Sequence, residues 1–114
     1  MVLKTCDTIS INIWLSGDID VIKQSCRVFC FQKGLCVTVT KTTYIYTGGQ
    51  EDGVVVGLRN YPRFPKGLAE MKVIARGLAH EIVEAACQHT CMVEYPDETL
   101  WISKRGDDDK GENG

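Results

Sequence analysis

The clearest pattern in the chain is strict alternation over residues 8–15. Ile9, Ile11, Ile13 and Leu15 point one way, and Thr8, Ser10, Asn12 and Trp14 the other. That period of two marks a half-buried strand. Ser16-Gly17-Asp18 breaks it, with Asp18 placed as a helix N-cap and Asp20 near the positive end of the dipole. Over residues 19–33 the period lengthens: Ile19, Ile22, Cys26 and Phe29 form one apolar helical face, and Gly34 sits where a left-handed cap is expected.

Residues 35–46 are rich in β-branched and aromatic side chains and read as a strand. Leu35, Val37 and Val39 share one face; Cys36, Thr38, Thr40, Thr42, Tyr44 and Tyr46 share the other. Residues 47–53 are turn-rich, and residues 54–60 return as a strand with Val54, Val56 and Leu58 on one side. Tyr61-Pro62-Arg63-Phe64-Pro65 follows. Leu68, Met71, Ala75, Leu78, Ile82 and Ala85 then repeat at three and four, predicting a helix over 67–89. Gly77 inside it costs about 1 kcal/mol against alanine, which suggests close packing there. Residues 91–95, a turn at 96–98 and residues 99–103 complete the pattern as two short strands.

The order β-α-β-β-α-β is the split βαβ arrangement of an α+β, ferredoxin-like sandwich, with a possible extra C-terminal hairpin strand. Two helices should cover one face of an antiparallel sheet. The open face should carry Trp14, the threonines, Tyr44, Tyr46, Arg59 and Tyr61. Residues 1–103 read as one domain. Residues 104–114 hold no apolar side chain and read as a disordered charged tail, native or added.

Charge and composition narrow the function classes. The formal net charge of −2 disfavours non-specific nucleic-acid or anionic-membrane binding, leaving room only for a local basic patch. No apolar run approaches the ~20 residues of a membrane span, and the N-terminus lacks the order of a secretion signal, so a cytoplasmic protein is expected. In that setting the cysteines, Cys6, Cys26, Cys30, Cys36, Cys87 and Cys91, are expected as reduced, largely buried thiols.

The proline-bounded loop is the first candidate for chemistry. Its backbone is stiffened, and it presents Arg63, with Lys66 nearby, at the start of the second helix, where a phosphate or carboxylate would be attracted. Phe64 is expected to staple the crossover onto the core. The open face, with Trp14, Tyr44, Tyr46, Arg59 and Tyr61, suits a dimer or partner interface, a solvated face or a stacking site for planar ligands. Gly57 would let another backbone approach that face. Cys87, His89 and Cys91 lack the paired C-x₂-C spacing of a zinc ribbon. His80-Glu81 lacks the second histidine of an H-E-x-x-H site, and Arg76, His80 and Glu84 read as a solvated stripe. No catalytic residue, metal ligand or cofactor site is assigned.

The stretches 34–39, 44–49 and 53–65, continuing through the second helix to Trp101-Ile102-Ser103, resemble a group of small uncharacterised proteins encoded by tailed bacteriophages. The resemblance implies expression in a bacterial host cytoplasm and carries over no site residue. The combined expectation is a non-enzymatic accessory protein, homodimeric, engaging a host protein or a small anionic ligand. Arg59, Arg63, Tyr44, Tyr46, Tyr61 and Trp14 would form its surface. The alternatives are a small enzyme acting on a nucleotide or phosphoester, marked by a pocket with converging ionisable groups, and a structural subunit of an oligomer.

Overall fold

β1 (Ser10–Ser16) lies at the centre of the sheet in the computed structural model, which describes residues 1–104. It is followed by α1 (Ile19–Lys33), β2 (Val37–Tyr46), β3 (Gly49–Arg59), α2 (Leu68–Ala85), β4 (Thr90–Glu94) and β5 (Thr99–Ser103). The strands run in the order β2-β3-β1-β4-β5, every adjacent pair antiparallel. This is the α+β, ferredoxin-like arrangement expected, with β5 as the added edge strand. The expected tail lies, from residue 105 onward, outside the described residues.

Register follows from the alternation in β1. Ile11, Ile13 and Leu15 pair with Leu58, Val56 and Val54, so that both strands turn their apolar sides to the same face. Ile11, Ile13, Val56, Ile22, Leu78 and Ile82 are fully buried there, and each such side chain contributes about 1.5–3 kcal/mol. α1 and α2 pack on that face side by side. Val37, Val39 and Leu35 border the same core, as their alternation predicts.

α1 has the bounds and caps its sequence predicts. The Asp18 carboxylate accepts from the amides of Asp20 and Val21, and Gly34 closes the helix at φ 69°. α2 stops four residues earlier than periodicity suggests. Its end is a Schellman turn, in which the Gln88 amide donates to the Val83 carbonyl and the Cys87 amide to that of Glu84. The left-handed position, φ 55°, falls on Cys87 where glycine is usual, so the stop carries no sequence signal. The metal-like run is thereby divided: Cys87 is exposed while Cys91 is buried in the core. Burial pushes the Cys26 and Cys91 thiols up to about 11, which keeps both protonated.

The β2–β3 hairpin is longer than expected. Its ladder continues to Tyr46↔Gly49, and the turn shrinks to Thr47-Gly48, with Gly48 at φ 89°. Gly49 to Gly53 is poor in strand formers, but pairing with β2 overrides that composition. Gly53 is required by packing, because a side chain there would collide with the Tyr44 ring laid across it. Gly57 serves neighbours within the chain: an added Cβ would come 2.6 Å from Thr38 Oγ1. It is not a gap for a second backbone.

No helix among the described residues is long and apolar enough to cross a membrane. Gly77 also departs from expectation. A Cβ there would lie 3.8 Å from the Phe29 ring, an ordinary contact. Gly77→Ala should therefore raise stability by about 0.5–1 kcal/mol in urea unfolding. A loss would show that the α1–α2 contact has no room for a methyl group.

Candidate functional site

β3 ends at Arg59, and the next residue, Asn60, decides where the chain goes. Its amide donates to the Ile9 carbonyl at 2.9 Å, and its side-chain Nδ2 donates to the Asp7 carbonyl at 2.9 Å. Its Oδ1 accepts from the Lys66 amide at 2.9 Å. Asn60 thus ties the N-terminal segment to both ends of the proline-bounded loop.

Within that clamp, residues 61–64 form a tight turn. The Phe64 amide donates to the Tyr61 carbonyl at 2.9 Å, and Pro62 and Arg63 are the central residues. Proline at the first central position fixes the φ the turn needs and leaves Arg63 at the tip. The Arg63 guanidinium lies 5.3 Å from the centroid of the Phe64 ring. Phe64 is 65% exposed and does not staple the core. The turn folds it back beside Tyr61, while Leu58 and Met71 are the buried side chains nearby.

Beneath the turn opens a cavity of about 330 Å³ between the end of β3, the end of α1 and the first turns of α2. Leu35, Leu58, Met71 and Ile74 form apolar walls. Tyr61 and Phe64 supply aromatic surface; Arg59, Arg63 and Lys66 supply positive charge; Cys36 lies on the α1 side. Among the described residues, no carboxylate or imidazole lines it. The Tyr61 hydroxyl is held above the ordinary tyrosine range, first by the neighbouring Cys36 thiol and then by partial burial, against the pull of the Arg59 cation. Cys30 stands behind: burial, then the nearby Cys36, push its thiol up.

The anticipated surface divides here. Arg59, Tyr61 and Arg63 come together in this cavity. Trp14 and Tyr44 line a different cleft on the open face, which shares no lining residue with the first. Tyr46 lines neither; its ring lies beside Gly49 near the hairpin turn. Arg76 and His80 lie exposed on α2, and Glu84 pairs with Lys104 at 3.4 Å. Among the described residues, no three His, Cys, Asp or Glu side chains converge to hold a metal ion. Sequence reasoning missed Asn60 and the apolar walls. The visible signal for Asn60 was a residue that readily bonds to backbone, placed between a strand and a Pro-x-x-Pro turn.

Asn60→Ala removes two side-chain hydrogen bonds and should cost about 1–2 kcal/mol in denaturant unfolding, with faster proteolysis within residues 61–66. An unchanged midpoint and an unchanged cleavage rate would show that the loop holds without the clamp.

No family model and no curated protein matches this chain. Two solved structures share its fold. One is a phage SAM lyase in its apo state, with a TM-score of 0.71 and 16% identity, covering 85% of this chain and 90% of that one. The other is a phage SAM lyase in complex with S-methyl-5′-thioadenosine, with a TM-score of 0.72 and 14% identity, covering 90% of this chain and 95% of that one. At such identities the likeness establishes the fold.

Proposed function

We propose that this protein binds a nucleoside thioether or sulfonium of the S-adenosylmethionine class in the cavity under the Tyr61–Phe64 turn, and cleaves the sulfonium as a lyase. The composition of that one cavity carries the reading: apolar walls, two aromatic rings and converging cations in about 330 Å³, the size of a small-ligand site. The shared fold with a structure that holds S-methyl-5′-thioadenosine selects the ligand class. Converging ionisable groups in a pocket are also the mark that separates an enzyme from a flat binding face.

The chemistry suits these residues. As the C–S bond breaks, its electron pair leaves with sulfur as the neutral thioether S-methyl-5′-thioadenosine, and the substrate's own carboxylate oxygen bonds to the vacated γ-carbon to close a lactone. Positive charge at sulfur therefore decays towards the transition state, and no proton has to move. Leu35, Leu58, Met71 and Ile74 provide surroundings that favour the less charged species. Arg63 and Arg59 bind the amino-acid carboxylate through charge-assisted hydrogen bonds, and their charge disfavours the cationic ground state. Tyr61 and Phe64 offer ring surface to the adenine.

One observation favours a second reading. Among the described residues, the lining includes neither a carboxylate nor a histidine, so these residues offer no ordinary acid–base pair. A non-enzymatic protein that retains the same ligand would need none.

Calorimetric titration tests the site, and mass spectrometry of the mixture separates the two readings. Arg63→Ala should weaken S-adenosylmethionine by roughly tenfold while shifting S-methyl-5′-thioadenosine, which lacks the carboxylate, less than about twofold. Released S-methyl-5′-thioadenosine in excess of protein supports the lyase; intact S-adenosylmethionine at one per chain supports retention. Equal weakening of both ligands would remove Arg63 from carboxylate binding, and failure of wild-type protein to bind either would overturn the site.

A further inference from the structure

On the face of the sheet away from the helices lies a second cleft, of about 260 Å³. Each strand contributes a wall residue: Trp14 from β1, Tyr44 from β2, Glu51 from β3, Met92 from β4 and Trp101 from β5. Among the described residues, Glu51 is the one charged residue in the lining. A second carboxylate stands at its edge, where Glu94 Oε1 accepts from Trp14 Nε1 at 3.0 Å and from Asn12 Nδ2 at 3.5 Å.

The rings are held in place. The bond to Glu94 fixes the Trp14 indole. The Tyr44 hydroxyl donates to the Leu15 carbonyl at 3.2 Å, and its ring rests on Gly53, where no side chain intervenes. Trp101 and Met92 face each other across the β4–β5 ladder and are about half exposed, at 45% and 41%.

Aromatic faces present negative charge density, and indole does so most strongly. A cation whose charge is dispersed over alkyl groups leaves water more easily than ammonium and can lie against such faces. A carboxylate at the wall adds attraction that a neutral or anionic molecule does not gain. We propose that this cleft binds a small onium cation, a quaternary ammonium or tertiary sulfonium, against Trp14, Tyr44 and Trp101 with Glu51 as counter-charge. The site is independent of the nucleoside cavity, with which it shares no lining residue.

Trp14 and Trp101 are the two tryptophans of the chain, so intrinsic fluorescence reports on this cleft. The full chain is titrated with choline, with trimethylsulfonium, and with the neutral choline isostere 3,3-dimethylbutan-1-ol. A saturable change with both cations is expected, with the isostere roughly tenfold weaker. Glu51→Gln, an exposed change that spares the fold, should weaken choline about two- to fivefold, and Arg63→Ala should leave it within about twofold. Equal binding of the isostere, no saturable change with either cation, an unchanged affinity in Glu51→Gln, or loss of choline binding in Arg63→Ala would each overturn the proposal.

Discussion

The period-two alternation of β1 is the constraint on which the rest depends. A strand at the centre of a sheet must satisfy neighbours on both edges and choose one face for its apolar side chains. Ile11, Ile13 and Leu15 make that choice. A slip of one residue would turn all three to the open face and leave the helices nothing to cover. With the register set, β3 must present Val54, Val56 and Leu58 to the same core, and its other face must accommodate what crosses it. Gly53 lies under Tyr44 and Gly57 under Thr38 for that reason. Both clefts descend from this one alignment: the second from what points away from the core, the first from where β3 runs out.

The end of β3 is where the fold meets the candidate site. Asn60 converts the end of an interior strand into a fixed turn, using one side chain for two backbone partners, one 53 residues away and one six residues on. Buried apolar surface supplies most of the stability of such a domain, yet it has no means of aiming a guanidinium. The hydrogen bonds of Asn60 and the fixed φ of Pro62 do the aiming, placing Arg63 over Phe64 at the mouth of an apolar cavity. The site is assembled from a helix end, a strand end and a turn, each held by backbone geometry.

Much of the fold was legible in the sequence, because β1, α1 and the valines of β3 each carry a pattern with a single structural solution. Asp18 and Gly34 even marked the ends of α1. What escaped had no compositional signature. The α2 stop rests on a cysteine in a left-handed position, the hairpin extension on residues that dislike strands, and the exposure of Phe64 on a turn that bends it back. Part of the candidate site was visible as well: Arg59, Tyr61 and Arg63 were named by residue type and place, and all three line one cavity. Their separation from Trp14, Tyr44 and Tyr46 depends on which end and which face of the sheet each occupies. A count of aromatic and cationic residues carries no such information.

Amide chemical-shift mapping on the full chain shows which cavity takes S-methyl-5′-thioadenosine. Binding under the Tyr61–Phe64 turn gives saturable shifts concentrated at Leu35, Cys36, Arg59, Tyr61, Arg63, Phe64 and Met71, with the amides of Trp14, Glu51 and Trp101 unmoved. Shifts confined to the open-face cleft, or no saturable shift at all, would contradict it.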